Sequence, residues 1–379
     1  MDASRVAWPA VVMALGAMAT AQRSSAPRFS HGASAVTVGP APAGMAGYAV
    51  EDCATCHREI AEEWRGSEHA GAWTDPTFTA AFRVEPLPFC VRCHAPLAED
   101  GTTRPDERSA REGVSCAVCH VREGQVFAGA SGGGGGASGS PHAVTRDAWL
   151  GASGYCGGCH QFGFPLPEGW RGPPPRRPPM QDTLGEWLTA SRGTGETCQG
   201  CHMPWRVGAD GRRWRSHRFP GARDASMLRE AVRVAIEAER DGDGVTVRAT
   251  LSLGRIGHAF PTGDVMRRGV LRVWPEGDES RAVTTEFARW FAVVSESDAA
   301  GRPHPARRPV NDSRVGVGGP ARVELRVGGR ASRVRWRLEH QRMPPEHARR
   351  QGVSEAVNVA VMLEGAAEVA PSRRAGGDE

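Results

Sequence analysis

Lysine is missing from this 379-residue chain, and arginine supplies all 47 basic side chains. A GC-rich genome produces that bias without any functional cause, but it excludes every Cys-x-x-Cys-Lys motif. Tyrosine is nearly missing too: Tyr48 and Tyr155 are the only two, which leaves little phenol for active-site or cross-link chemistry. No cysteine stands outside a short pair, and none follows the Ala19-Thr20-Ala21 stretch closely enough to take a lipid anchor. The apolar run from Ala7 to Ala17 is too short to span a bilayer.

What the chain does contain is one motif used five times. Cys53 to His57, Cys90 to His94, Cys116 to His120, Cys156 to His160 and Cys198 to His202 all read Cys-x-x-Cys-His, and they use all ten cysteines. In that pattern two thiols add across the vinyl groups of a haem, and the histidine after them swings beneath the ring to ligate iron. The expected thioether residues are Cys53 and Cys56, Cys90 and Cys93, Cys116 and Cys119, Cys156 and Cys159, and Cys198 and Cys201. The expected proximal ligands are His57, His94, His120, His160 and His202, and the expected cofactors are five covalently attached c-type haems. A disulfide framework gives no reason for a histidine after every second cysteine. Structural zinc usually gathers two cysteine pairs, or a pair and two spaced histidines, around one ion.

The haems change the charge argument. Each brings two propionates, so the formal +4 of the polypeptide becomes about −1 with oxidised haems and about −6 with reduced ones. The basicity therefore predicts no nucleic-acid partner, and many arginines are expected to pair with propionates. The 11 tryptophans are read as flat apolar surface for porphyrin faces.

Along the chain, Arg5, the apolar run and an Ala-x-Ala site before Gln22 read as a signal peptide over residues 1–21, which predicts export to the periplasm with no stable membrane anchor. Residues 22–46, rich in Ser, Ala, Gly and Pro, read as a flexible leader. Residues 47–224 form the haem domain, with the motifs between 53 and 202 at roughly 30 residues per haem, too few for a conventional core around each, so the haems themselves must be the core. Short local helices are expected at Ile60 to His69 and Leu184 to Ser191, with surface connections at Gly129 to Gly139 and Pro173 to Pro179. After residue 225 the periodicity becomes two: Val232, Val234 and Ile236, a turn at Asp241-Gly242-Asp243-Gly244, then Val245, Val247, Ala249, Leu251 and Leu253. Further short runs predict about seven strands, an antiparallel β-sandwich-like domain over 225–369, and a disordered tail over 370–379. The fold class expected is α+β.

A second axial histidine is the common choice for each iron of a low-potential multihaem protein. His69, His142, His217 and His258 are the distal candidates, each standing close to a motif or, for His258, on a glycine-rich loop where the β-domain reaches the haems with Phe260 beside the porphyrin. His304, His340 and His347, set among arginines and prolines, are expected to be solvated. Four candidates for five irons leave one iron to His31, to Met180 or Met203, or to an open position.

These residues resemble a known group. Cys53 to His57 followed by Trp64, Ser67 and His69-Ala70, the close pair Cys90 to Pro96 and Gly113 to His120, and Cys198 to Pro204 followed by His217 are similar to the cytochrome c-554 multihaem cytochromes over roughly residues 50 to 220. The resemblance implies a periplasmic electron carrier whose mostly bis-histidine haems stack in close pairs and exchange electrons with redox partner proteins. The alternative is a multihaem oxidoreductase acting on a small nitrogen or sulfur compound at one open iron; the lack of any Cys-x-x-Cys-Lys site sets the chain apart from pentahaem nitrite reductases.

Overall fold

In the computed structural model, which describes residues 36–130, 140–173, 178–190, 195–209 and 211–372, each motif forms one tight helical turn. The signal-peptide region, His31 and the last residues of the tail lie outside the described residues, as do most of the glycine run and part of the proline run. Helices α1 (Val50–Ala54) and α2 (Arg58–Arg65) flank the first motif, and α3 (Pro76–Val84) leads to α4 (Pro88–His94), which carries the second. After α5 (Glu107–Glu112), the third, fourth and fifth motifs lie in α6 (Cys116–His120), α7 (Ser153–His160) and α9 (Cys198–His202), with α8 (Thr183–Ala190) before the last. A helical turn sets cysteines three apart, and the histidine after them, along one face, so sequence spacing alone creates each attachment surface.

The apolar cluster in this domain is small: Val50, Ala61 and Trp64, with Ala54, Ala70 and Cys116 against it. Trp64 ties it to the third motif by donating from Nε1 to the Val114 carbonyl at 2.8 Å. Gly113 is required where the chain passes His69: its φ is +50°, and a Cβ there would lie 2.7 Å from the His69 carbonyl oxygen. α3 starts with Pro76 and is capped by Asp75, which accepts from the Thr77 and Phe78 amides at 3.0 Å each.

The leader is more ordered near its end than its composition predicts. Glu123 N donates to Thr37 O at 3.2 Å and Gly124 N to Val38 O at 2.7 Å, so residues 37 and 38 lie along the turn that follows α6. Composition could not reveal this, because only backbone groups make the contact.

The second half begins with α10 (Ala225–Ala231), capped by Asp224, and continues into eight strands: β1 (Val232–Asp241), β2 (Gly244–Leu253), β3 (Arg268–Pro275), β4 (Val283–Ser297), β5 (Pro303–Asp312), β6 (Ala321–Gly328), β7 (Arg333–Gln341) and β8 (Val359–Ala370). They form one sheet in the order β5-β4-β3-β7-β8-β1-β2-β6. All pairings are antiparallel except a short one between β8 and β1, at Val369 with Ala238 and Ala370 with Glu239. The β1–β2 hairpin has Val232 opposite Leu253 and Asp241 opposite Gly244, with Gly242 at φ +59° in the turn. Strands of eight to fifteen residues twist enough to curl the sheet, and β6 comes to face β3 and β4. The enclosed core includes Val245, Val247, Leu251, Leu271, Val273, Phe287 and Leu338. The result is sandwich-like with a single continuous sheet, in an α+β chain.

Between β7 and β8, α11 (Pro345–Arg350) and α12 (Glu355–Asn358) lean on the haem domain, where Ala80 of α3 joins Met343, Ala348 and Val353. Asp75 pairs with Arg342 at 2.8 Å across the same junction. This docking overturns the expectation of solvated histidines. His340 is 2% exposed at the covered end of β7, the His347 Nε2 is enclosed, and His304 sits beside the fully buried Asp298 carboxylate at 3.2 Å. The sequence around them is arginine- and proline-rich, but burial follows from which face meets the other half of the chain. Among the described residues no helix is long and apolar enough to cross a membrane.

Candidate haem-iron centres

The proximal histidines are held by their outer nitrogens. His94 Nδ1 lies 2.7 Å from Ala72 O, His120 Nδ1 2.7 Å from Phe127 O, and His202 Nδ1 2.7 Å from Pro220 O. A carbonyl only accepts, so each Nδ1 carries the proton and each Nε2 keeps its lone pair free for a metal. His160 Nδ1 meets the side-chain amide of Gln181 at 3.1 Å, and His57 is the N-cap residue of α2. The two free thiols one turn before each imidazole fit a covalently attached haem at every motif, and at His94, His120 and His202 the carbonyl-held Nδ1 also leaves Nε2 free for iron.

The thiols also report which motifs are neighbours. A contact with Cys116 lowers the pKa of Cys53. Cys159 does the same to Cys93, and Cys156 to Cys198. Burial raises Cys119, and the charge of Cys159 adds to it. The third motif therefore lies between the first and fourth, and the second and fifth both border the fourth. Order in space departs from order in the chain.

Two imidazoles on one iron have centroids about 6 Å apart, from two metal–nitrogen bonds of about 2 Å and two ring half-widths of about 1 Å. His69 stands 6.3 Å from His160, and His217 stands 6.1 Å from His120. Burial lowers the pKa of His57, and the charge of His142 adds to the depression. Burial, opposed by the Ala259 carbonyl, pushes His258 down to about 4, and His202 is the histidine that adds to the depression. Burial likewise sets His69 and His217 at about 4 and His160 at about 3. Neutral imidazoles are what a metal requires.

Nδ1 of His217 lies 2.7 Å from Arg215 O, that of His258 3.1 Å from Ala259 O, and that of His142 3.3 Å from Ala143 O, again leaving Nε2 free. Of the four sequence-predicted distal histidines, His69 and His217 stand at the separation that suits one iron, beside His160 and His120. His94 is set differently: its ring stacks on Phe78 at 3.6 Å and 9°, and burial is the largest cause lowering its pKa.

Several residues of the site carried no sequence signal. Glu63 is buried beside His217, accepting from the His217 amide at 2.8 Å and the Trp214 indole at 3.3 Å. Phe219 has φ +46° and sets its ring edge against both His69, at 4.3 Å, and His217, at 5.7 Å. Phe260, expected beside a porphyrin, turns away from it. It is 3% exposed in the core of the curled sheet, pinned by a two-bond bridge to Val315. Met203 ends α9 directly after His202, and Met180 lies against Arg289 through its carbonyl.

Residues 52–121 match the family described as cytochrome c554 and c-prime. The chain is also similar to the crystal structure of a penta-heme cytochrome c552 from Thermochromatium tepidum, with a TM-score of 0.63 and 20% identity, over 86% of this chain and 100% of that one. At that identity the likeness concerns the fold. No curated protein matches the chain.

Proposed function

We propose that this chain is a multihaem c-type cytochrome, an exported pentahaem electron carrier whose haems pass electrons among themselves and to redox partner proteins; the five Cys-x-x-Cys-His motifs and the family match over residues 52–121 support this. The observation that carries the reading is the pair of imidazole separations, 6.1 and 6.3 Å, each of which suits one iron held from both sides. In this reading the ten motif cysteines hold the haems, and His57, His94, His120, His160 and His202 are proximal ligands. The second ligands are His142 opposite His57, His217 opposite His120, His69 opposite His160, and His258 opposite His202. A bound haem supplies reversible one-electron chemistry there, and two neutral imidazoles confine it to that role by leaving no coordination position for a substrate. Burial around the rings keeps them neutral and shields the iron from water.

A pyridine haemochrome assay on matured protein tests the count and should return five haems per chain; three or fewer would sink the proposal. Replacing His69, His142 or His217 singly with Ala should leave all five haems attached, since attachment needs only the motif, yet convert one low-spin ferric signal to high spin. No change in any of the three variants would remove the ligand assignment.

The second reading, reduction or oxidation of a small nitrogen or sulfur compound, is favoured at one place only. His94 is the proximal candidate to which the first reading assigns no second histidine, and its ring stacks on Phe78. An EPR spectrum of the ferric wild-type protein decides between them: a high-spin signal from about one haem in five that shifts on adding nitrite or cyanide supports chemistry at that iron, and a wholly low-spin spectrum removes it.

A further inference from the structure

On the reading that His258 is an axial ligand, we propose that Glu186, a carboxylate of the haem domain, is the positioning residue that holds the β-domain's His258 loop over the fifth motif. His258 stands between β2 and β3 in a loop anchored at its start by the Gly254 and Arg255 amides on Ala231 O and Glu230 O and, past His258, by the bridge between Phe260 and Val315. Around His258 itself, one face of α8 adds side-chain anchors. Glu186 Oε2 accepts from the Ala259 amide at 3.2 Å and from the Thr262 hydroxyl at 2.9 Å, so a single oxygen brackets the Phe260-Pro261 corner directly after His258.

The other oxygen, Oε1, pairs with Arg314 Nη1 at 2.7 Å, and both side chains are about nine-tenths buried. Arg314 is itself fixed by the Asp312 carboxylate, at 2.8 Å to each oxygen, and donates to Pro261 O at 3.3 Å. The carboxylate and the guanidinium therefore hold the loop from both sides.

Two neighbours on α8 complete the grip. The Thr183 hydroxyl meets the Thr262 hydroxyl at 2.9 Å. Trp187 lies flat on Gly257, where a Cβ would come 2.0 Å from its ring, so the residue before His258 has to be glycine for the loop to seat. Residues 183, 186 and 187 share one helical face and bracket His258 in sequence from Gly257 to Thr262. A buried ion pair is weak evidence for stability, because desolvation offsets most of its attraction. What this one specifies is place. Charge-assisted bonds from one carboxylate to two loop donors fix the loop with far less freedom than apolar contact allows.

The test uses the full-length haem-loaded protein and reads haem content, the ferric EPR spectrum and cyanide binding, with His258→Ala as the reference. Glu186→Ala should keep five haems attached and displace the g-values of one low-spin haem, the same one whose signal is lost in His258→Ala. Cyanide binding should rise above the wild-type level by up to one haem. Glu186→Gln, which keeps an acceptor oxygen but not the charge, should move the same signal part of the way. Thr262→Val removes one donor without leaving Arg314 unpaired, so it decides the matter if Glu186→Ala does not mature; it should shift that haem's g-values by a smaller amount. If Glu186→Ala or, failing that, Thr262→Val leaves this haem unchanged while His258→Ala alters it, Glu186 only joins the two domains and the proposal falls. If His258→Ala itself leaves every haem's spin state and cyanide binding as in the wild type, the ligand reading fails first and takes the proposal with it.

Discussion

At the scale of single residues, the environment of the second-ligand imidazoles has a measurable signature. Burial lowers His69, His217 and His258 to about 4 from an ordinary 6.5. Buried or iron-bound, these imidazoles stay neutral in the fold while the unfolded chain takes up protons below about 6.5, so stability is full above 6.5 and falls as pH drops below it. Denaturation midpoints followed against pH should therefore begin to decline near pH 6.5. A decline that starts only below pH 4 would point to carboxylates such as Asp75, held down to about 2 by Arg342 and its hydrogen bonds, and against buried neutral imidazoles. Phe219 makes a second prediction. A non-glycine residue at φ +46° holds on the order of 1–3 kcal/mol of strain and persists where its surroundings demand it. Its ring touches the proposed ligands of two haems, so Phe219→Ala should shift the g-values or potentials of both. A change confined to one haem would show that the contact with the other histidine is incidental.

Among the elements, the junction of α3 with the end of β7 concentrates interactions on one side chain. Asp75 caps α3 and also holds Arg342, whose side chain is 11% exposed. Losing the cap costs about 1 kcal/mol, and leaving a largely buried guanidinium without its partner costs more, so Asp75→Ala should destabilise the protein by about 3 kcal/mol. Asp75→Asn keeps a capping oxygen and should lose less. Thermal unfolding of the three proteins measures this directly, and equal midpoints for wild type and Asp75→Ala would show that the apolar contacts of Ala80 with Met343 and Ala348 hold the junction unaided.

For the molecule as a whole, the arrangement of thiols and imidazoles makes the fourth motif a hub. His160 is depressed by burial and then by His69, with His202 and His94 also contributing, and its cysteines border those of the second and fifth motifs. Haems attached there would form a branched network rather than a line in chain order. Charge gives the whole-molecule test. The polypeptide has a pI near 8.6, yet five haems carry it to about −1 oxidised and about −6 reduced. The matured protein should therefore bind an anion exchanger at pH 7 and elute later when reduced. Retention on a cation exchanger instead would mean fewer haems or extensively neutralised propionates.

The five Cys-x-x-Cys-His turns were legible in the chain because the motif is local: two cysteines and a histidine within five residues need one helical turn and nothing else. The β1–β2 hairpin was legible for the same reason, since a period of two and an Asp-Gly turn specify it without help from afar. Which imidazole meets which motif was not legible. His69 and His160, like His120 and His217, are about 90 to 100 residues apart, and closing loops of that length differs so little in entropy that spacing cannot choose among partners. Packing chooses, through Phe219, Glu63 and the α8 face that receives the His258 loop. The burial of His340 and the inward turn of Phe260 were decided in the same way. Both depend on the curl of one continuous sheet and on its docking against α3, and a curled sheet places residues by accumulated twist over many strands, which no local pattern records.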